Sequence, residues 1–150
     1  MKAVIIGFAH MHVNEVALYI SQQPEFELAA IADIYSGVDV LPPLRYTQLW
    51  NLENVRQKYC ANVYEDYETM LDEIKPDWAF ILCENSEKPR VVAACAKRGV
   101  NVSIEKPIAV NLAEAKRIEA TCKQYGIDVM VNWPVLWRPK VHRKKAAIDS

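Results

Sequence analysis

The sequence predicts a doubly wound α/β fold, a parallel sheet of order 3-2-1-4-5-6 with helices on both faces. Three observations carry this reading. Six short apolar runs alternate with segments of helical periodicity or with long connections. Several of those runs are apolar throughout, the pattern of strands buried on both faces. The chain has 150 residues, enough for one domain with a substantial core. A flavodoxin-like strand order is the alternative for the same pattern.

Each element follows in order. KAVIIG (2–7) is a β-branched run ending in Gly, a strand. HVNEVALYISQQ (12–23) places Val13, Val16, Ala17 and Ile20 on one helical face, and Pro24 stops it. ELAAIAD (27–33) is a second strand, ending in an acid. Residues 34–44 carry Gly37, Pro42 and Pro43 and read as a loop. Residues 45–60 form a helix with Leu49, Leu52, Val55 and Tyr59 on one face, followed by a short strand, ANVY (61–64). DYETMLDEI (66–74) is a short helix opened by Asp66 as N-cap. DWAFILC (77–83) is a strongly apolar strand, and EKPRVVAACAKRG (87–99) a helix closed by Gly99. NVSIEKP (101–107) is a strand ending in charge. NLAEAKRIEATCKQYG (111–126) is a helix with Asn111 as N-cap and Gly126 at its end, and IDVMVN (127–132) is a final strand. Residues 139–150 look like a helix that has just begun. The reading is therefore a domain over 1–132, with 133–150 as a linker and the start of a further domain.

Composition narrows the function. Hydrophobic residues make up 51% and charged residues 25%, a globular balance. The net charge of -1 offers no overall footprint for nucleic acid. No apolar run approaches the roughly 20 residues a membrane span requires. The apolar start at Ala3–Ile6 is too short for a secretory leader and is broken by Gly7 and His10. Cys60, Cys83, Cys95 and Cys122 show no Cys-x-x-Cys spacing and fit a reducing compartment. The expectation is a cytoplasmic protein that engages neither nucleic acid nor membrane.

The first turn, Gly7-Phe8-Ala9-His10-Met11-His12, joins a strand to a helix. A dinucleotide-binding (Rossmann) fold requires a tight turn here, close backbone approach to a pyrophosphate, and a helix N-terminus to receive its charge. The usual pattern is Gly-x-Gly-x-x-Gly. This chain keeps Gly7, but has Ala9 at the second position and His12 at the third. The turn alone also fits an ordinary strand–turn–helix. Asp33 adds weight, because a carboxylate at the end of the second strand can bond ribose hydroxyls and repel a 2′-phosphate. That favours NAD over NADP; its bland alternative is a strand-end turn residue.

Ser103-Ile104-Glu105-Lys106-Pro107 is the most specific stretch. It places two charges at the carboxyl edge of the sheet, where ligands bind. A Lys there can donate to a substrate hydroxyl or carbonyl, and Pro107 ends the ladder. With AVIIGFAHMHV, Asp33, VYEDYETML (63–71), DWAFILCENS (77–86) and GVNVSIEKPIAVNLAEAKRI (99–118), the chain resembles the glucose–fructose oxidoreductase/inositol dehydrogenase (Gfo/Idh/MocA) family.

The resemblance implies an N-terminal Rossmann domain, followed in that family by an α/β substrate domain that usually makes the oligomer interface. It implies a homo-oligomer for the full-length protein. Gly7, Phe8, Ala9, His10 and Met11 would line the pyrophosphate turn, and Asp33 would hold the adenosine ribose. Cys83, Glu84 and Asn85 would lie beside the cofactor. Glu105 and Lys106 would flank the nicotinamide, with Lys106 touching a sugar-like substrate as the catalytic residue of this chain. Asn132 and Arg138 would sit near the domain junction. The family's Asp-x-x-x-His pair lies outside this sequence, so no general base is assigned. After the fourth strand many members have Thr-Pro-Asn and then a His; this chain has Cys83-Glu84-Asn85-Ser86-Glu87-Lys88.

Other features have plainer readings. His10 and His12 form a His-x-His pair, but a metal needs further ligands and a helix N-terminus disfavours a cation, so no metal is expected. His10 is a candidate donor toward cofactor or substrate. Cys83 reads as a buried thiol. Basic residues from Arg138 to Lys145 read as a solvated helix face. Trp133–Trp137 is apolar and reads as an interaction surface toward the further domain or a partner subunit. The leading function is an NAD-dependent oxidoreductase acting on a sugar, cyclitol or polyol. The alternatives are an NAD-dependent glycoside hydrolase of the same family, or a non-catalytic nucleotide-binding domain.

Overall fold

The computed structural model describes residues 1–34, 42–59, 62–133 and 138–149. Its elements are β1 (Lys2–Ile6), α1 (Val13–Gln22), β2 (Glu27–Ala32), α2 (Gln48–Tyr59), β3 (Val63–Tyr64), α3 (Tyr67–Ile74), β4 (Trp78–Ile81), α4 (Lys88–Lys97), β5 (Asn101–Glu105), α5 (Leu112–Tyr125), β6 (Val129–Asn132) and α6 (Pro139–Asp149). The strands form one six-stranded sheet of order β3-β2-β1-β4-β5-β6, with every neighbouring pair parallel. The predicted order is the observed one.

Strand alternation divides the core in two. Val4, Ile6, Ala79, Ile81, Val102 and Ile104 point to one face, where α3, α4 and α5 supply Met70, Leu71, Val91, Val92, Cys95 and Ile118. Ala3, Ile5 and Ile31 point to the other face and meet Val13, Ala17, Ile20 and Val55 from α1 and α2. The two cores explain the continuous apolar strands, since both faces of β1 are covered.

Helix ends follow local chemistry. The Asp66 carboxylate accepts the Thr69 N–H at 2.7 Å and opens α3. Asn111 Oδ1 accepts the Glu114 N–H at 3.0 Å and opens α5. Gly99 and Gly126 adopt φ of +70° and +66° just past α4 and α5.

The differences from expectation are at boundaries. α2 begins at Gln48 rather than at residue 45, because Tyr46 takes a φ of 70° and Thr47 Oγ1 donates to Leu44 O at 2.6 Å, closing a turn first. β5 ends at Glu105, so Lys106 leaves the ladder before Pro107. β6 starts at Val129, because the Ile127 N–H still bonds Cys122 O at the end of α5. Most of the predicted loop 34–44, Cys60 and residues 134–137 of the aromatic stretch lie outside the described residues. Trp133, its first member, is 53% exposed.

Candidate functional site

The parallel sheet aims the carboxyl ends of β1, β2, β4 and β5 toward one edge, and the residues singled out in the sequence gather there. Gly7 leaves β1 with a φ of +87°. A Cβ at this position would lie 2.4 Å from both Cα and N of Cys83. The β1 and β4 exits therefore approach as closely as backbones can, and only Gly fits. The turn that follows is not a uniform lining. The Phe8 side chain is fully buried in the α1–α2 core, so only its backbone faces the turn. Met11 is exposed and faces a separate hollow beside Asn14 and Tyr46.

Asp33 lies just past β2 and is 6% exposed. Its Oδ1 accepts the N–H of Phe8 at 3.0 Å and of Ile34 at 2.8 Å, and its Oδ2 accepts Gln48 Nε2 at 2.9 Å. Burial raises its pKa above the usual carboxylate value, while the three hydrogen bonds pull it down. Gln48 also donates to Ile34 O at 3.0 Å, locking the carboxylate against the β2 exit.

A cleft of about 140 Å³ lies between the β1, β4 and β5 exits, lined by Ala9, His10, Cys83, Glu84, Asn85, Lys88, Glu105, Lys106 and Pro107. Of the eleven residues expected from the sequence to surround a cofactor, it brings together Ala9, His10, Cys83, Glu84, Asn85, Glu105 and Lys106. Cys83 lines it with a buried thiol whose pKa burial pushes up to about 12, so it is a weak nucleophile.

Glu105 is buried at 2% exposure, and both its oxygens are engaged. The β5–β6 register sets it beside Asn132, whose Nδ2 donates to Oε2 at 2.7 Å. His12 Nδ1 stands 3.2 Å from Oε1. Lys106 Nζ lies 4.0 Å from Oε1 and 3.3 Å from His10 Nε2. The His12 backbone N–H meets His10 Nδ1 at 3.2 Å, and the two rings are 4.4 Å apart. Burial holds the His10 pKa below the usual histidine value, with Glu105 opposing and the neighbouring cations adding to the effect.

The sequence reading missed three residues. Lys88 is 1% exposed, and its ammonium donates to Asn85 Oδ1 at 2.7 Å, Glu105 O at 2.6 Å and Pro107 O at 2.6 Å. It ties the β4 exit to the Glu105–Pro107 turn, and burial lowers its pKa. The signal was a cation at a helix N-terminus, against the dipole, where α4 should carry an acid. Asn51, fully buried within α2, donates to Phe8 O at 3.1 Å and holds the first turn. Gln48 is the third, and its contact with Asp33 leaves no mark in the sequence.

A larger groove, about 460 Å³, runs between α1 and the open face of β4–β6. It is lined mainly by apolar groups such as Val16, Phe80 and Met130, and carries His12 and Asn132.

Comparison with known proteins agrees with this geometry. Residues 1–133 match the GFO/IDH/MocA oxidoreductase family, NAD-binding Rossmann fold. Curated proteins give no match. Among solved structures, an oxidoreductase from Agrobacterium radiobacter in complex with NAD+, L-tartaric acid and magnesium superposes with a TM-score of 0.80 at 21% identity, over 99% of this chain and 40% of that one. A myo-inositol 2-dehydrogenase from Lactobacillus plantarum gives 0.76 at 18% identity, over 99% and 41%. A 3-ketoreductase from Actinomadura kijaniata, in complex with NADP and TDP-benzene, gives 0.77 at 17% identity, over 99% and 42%. At these identities the likeness concerns the fold, and the chain spans about two fifths of each relative's length. No helix among the described residues is long and apolar enough to cross a membrane. The β1 turn, the strand-end carboxylate, the Glu-Lys-Pro exit and the match over 1–133 have one conclusion: this chain belongs to the GFO/IDH/MocA oxidoreductase family as an NAD(P)-binding Rossmann domain.

Proposed function

We propose that this domain binds NAD in preference to NADP and serves an oxidoreductase that moves a hydride between the nicotinamide and a sugar, cyclitol or similar polyol. The observation that carries the cofactor choice is Asp33. Its carboxylate has about four lone-pair positions, and three are used. One on Oδ2 remains for a ribose hydroxyl, while a 2′-phosphate would meet a buried negative charge.

The rest of the first turn fits a dinucleotide. Among the described residues no acceptor is bonded to the amides of Ala9, His10 and Met11. These amides lie in the turn that leads into α1, where helix dipole and free N–H groups favour a pyrophosphate. A side chain at Gly7 would press the β1 and β4 exits apart at this point.

When bound, the cofactor supplies the hydride chemistry. The chain's own residues position and polarise. Lys106 is half-exposed at the rim of the cleft, where its ammonium can donate to a substrate oxygen. Lys88 fixes the turn that carries Lys106 through its bonds to Glu105 O and Pro107 O. Glu105, held by Asn132 and His12, lies under the cleft floor.

Titration calorimetry with NADH and NADPH tests the proposal. NADH is expected to bind more tightly by about tenfold or more, and Asp33→Ser to narrow the gap. No binding of either nucleotide rejects the cofactor role. Tighter binding of NADPH rejects the role of Asp33. Net reduction of NAD with a polyol, measured on the full-length protein, tests the reaction class.

A further inference from the structure

We infer that His10, His12 and Glu105 form a binding site for one divalent transition-metal ion, with Zn2+ or Co2+ as the class that suits the donors. The inference does not depend on NAD binding. The three side chains each offer a ligand atom, and these atoms lie within 4.8 Å of one another. Two imidazoles and one carboxylate form a donor set that borderline divalent ions accept. His12 Nδ1 and Glu105 Oε1 are 3.2 Å apart. Ligand bonds of about 2.0–2.1 Å in a tetrahedral arrangement place adjacent donors about 3.3 Å apart, so this edge is already set.

The carboxylate is also oriented in the way ligating carboxylates are. Its second oxygen is held by Asn132 Nδ2 at 2.7 Å, and the side chain is buried. Buried carboxylates need a partner of opposite charge. Here the nearest full positive charge is Lys106 Nζ, at 4.0 Å from Oε1, and it also stands 3.3 Å from His10 Nε2. A lysine ammonium thus sits against two of the three candidate ligands. Its side chain is 42% exposed, so it can swing into solvent when a divalent ion takes its place. The helix dipole of α1, which disfavours a cation, is countered at this spot by the Glu105 charge.

The spacing of His10 and His12 left such a pair short of ligands. The fold brings Glu105 to it from 93 residues away in the case of His12. Three protein ligands leave at least one position open toward the cleft shared by His10, Glu105 and Lys106. An ion there can hold and polarise a hydroxyl or carbonyl oxygen.

The test is titration of the tag-free chain with Co2+ alone, read by its visible ligand-field absorption, and with Zn2+ alone by calorimetry. One equivalent is expected to bind, with the absorption intensity of four- or five-coordinate Co2+. His12→Asn and Glu105→Gln are expected to abolish it, and Asn132→Ala to weaken it by about tenfold. Lys106→Met is expected to tighten binding by about tenfold, because it removes the competing ammonium. This gain cannot arise from a variant that fails to fold. No binding by folded wild-type chain overturns the inference, as does binding that survives His12→Asn. Weaker or unchanged binding in Lys106→Met overturns it as well. NADH titration of the same samples reads the cofactor site separately.

Discussion

Substituting Gly7 by Ala perturbs a close approach between the β1 and β4 exits. The backbone there has a φ of +87°, and the new Cβ would lie 2.4 Å from Cα and N of Cys83 and 2.5 Å from its Cβ. Ordinary carbon contacts begin near 3.5 Å, so the β1 and β4 exits must part by about 1 Å. They cannot part freely, because the Leu82 N–H bonds Ile6 O at 2.9 Å and the Gly7 N–H bonds Ala32 O at 2.9 Å on either side. A left-handed conformation costs a side-chain-bearing residue about 1–2 kcal/mol. Overpacking against backbone adds about 1–3 kcal/mol. The sum, about 2–5 kcal/mol, is a large part of the roughly 5–15 kcal/mol that stabilises a domain. In urea, with a slope of about 2 kcal/mol/M, the midpoint is expected to fall by about 1–2.5 M. Gly126→Ala is the control. Its φ is +66°, but nothing lies within 4 Å of the added Cβ, so only the conformational cost of about 1–2 kcal/mol applies. Equal losses in the two variants, or a Gly7→Ala loss below about 0.5 kcal/mol, would refute the close approach of the two exits.

Five further outcomes are expected. Lys88→Met leaves Glu105 O, Pro107 O and Asn85 Oδ1 without their shared donor, and thermal unfolding should show a loss of about 2–4 kcal/mol. Burial lowers the Lys88 pKa from 10.5, so the unfolded chain binds more protons between the folded value and 10.5; wild type should gain stability relative to Lys88→Met as pH rises through that window. The Asp33 pKa is raised from 3.8, so the folded chain holds the extra proton, and stability should fall as pH rises from 3.8 to the folded value; Asp33→Asn should lack that fall in acid denaturation series. Asn111→Ala removes the cap on the Glu114 N–H, and urea unfolding should show a loss of about 1 kcal/mol. Cys83 and Cys95 are buried, with thiol pKa values pushed up to about 12, so peptide mapping after treatment with a disulfide reagent at pH 8 should find both unmodified until denaturant is added.

The fold was legible because it rests on patterns local to each segment. The apolar runs, the capping residues Asp66 and Asn111, and the glycines after α4 and α5 each act within a few residues. Boundaries slipped where a turn competed, as at Tyr46 and Thr47 before α2. The site was legible as a set of strand ends, since a parallel sheet brings those ends to one edge whatever the side chains do. What each side chain does there was not legible. Phe8 turns into the core, Lys88 is buried beneath the Glu-Lys-Pro turn, and Gln48 clamps Asp33. The roles of Phe8 and Gln48 carry no sequence signature, and that of Lys88 only its place at the start of α4, against the helix dipole.

At the third position of the glycine-rich turn, Gly normally permits close contact between helix and strand. His12 is the residue that opens α1, and its ring turns across the sheet edge to Glu105 at 3.2 Å. This is a polar contact between the first turn and the β5 exit. His10 makes the parallel contact with Lys106 at 3.3 Å. The two histidines of the first turn therefore meet the two charged residues of the Glu-Lys-Pro turn. Nucleotide binding at the turn and the polar contact with the β5 exit can be measured separately. Replacing His12 by Gly should leave or strengthen nucleotide binding while removing the contact with Glu105. If nucleotide binding is lost instead, the histidine serves the turn itself and not the crevice beyond it.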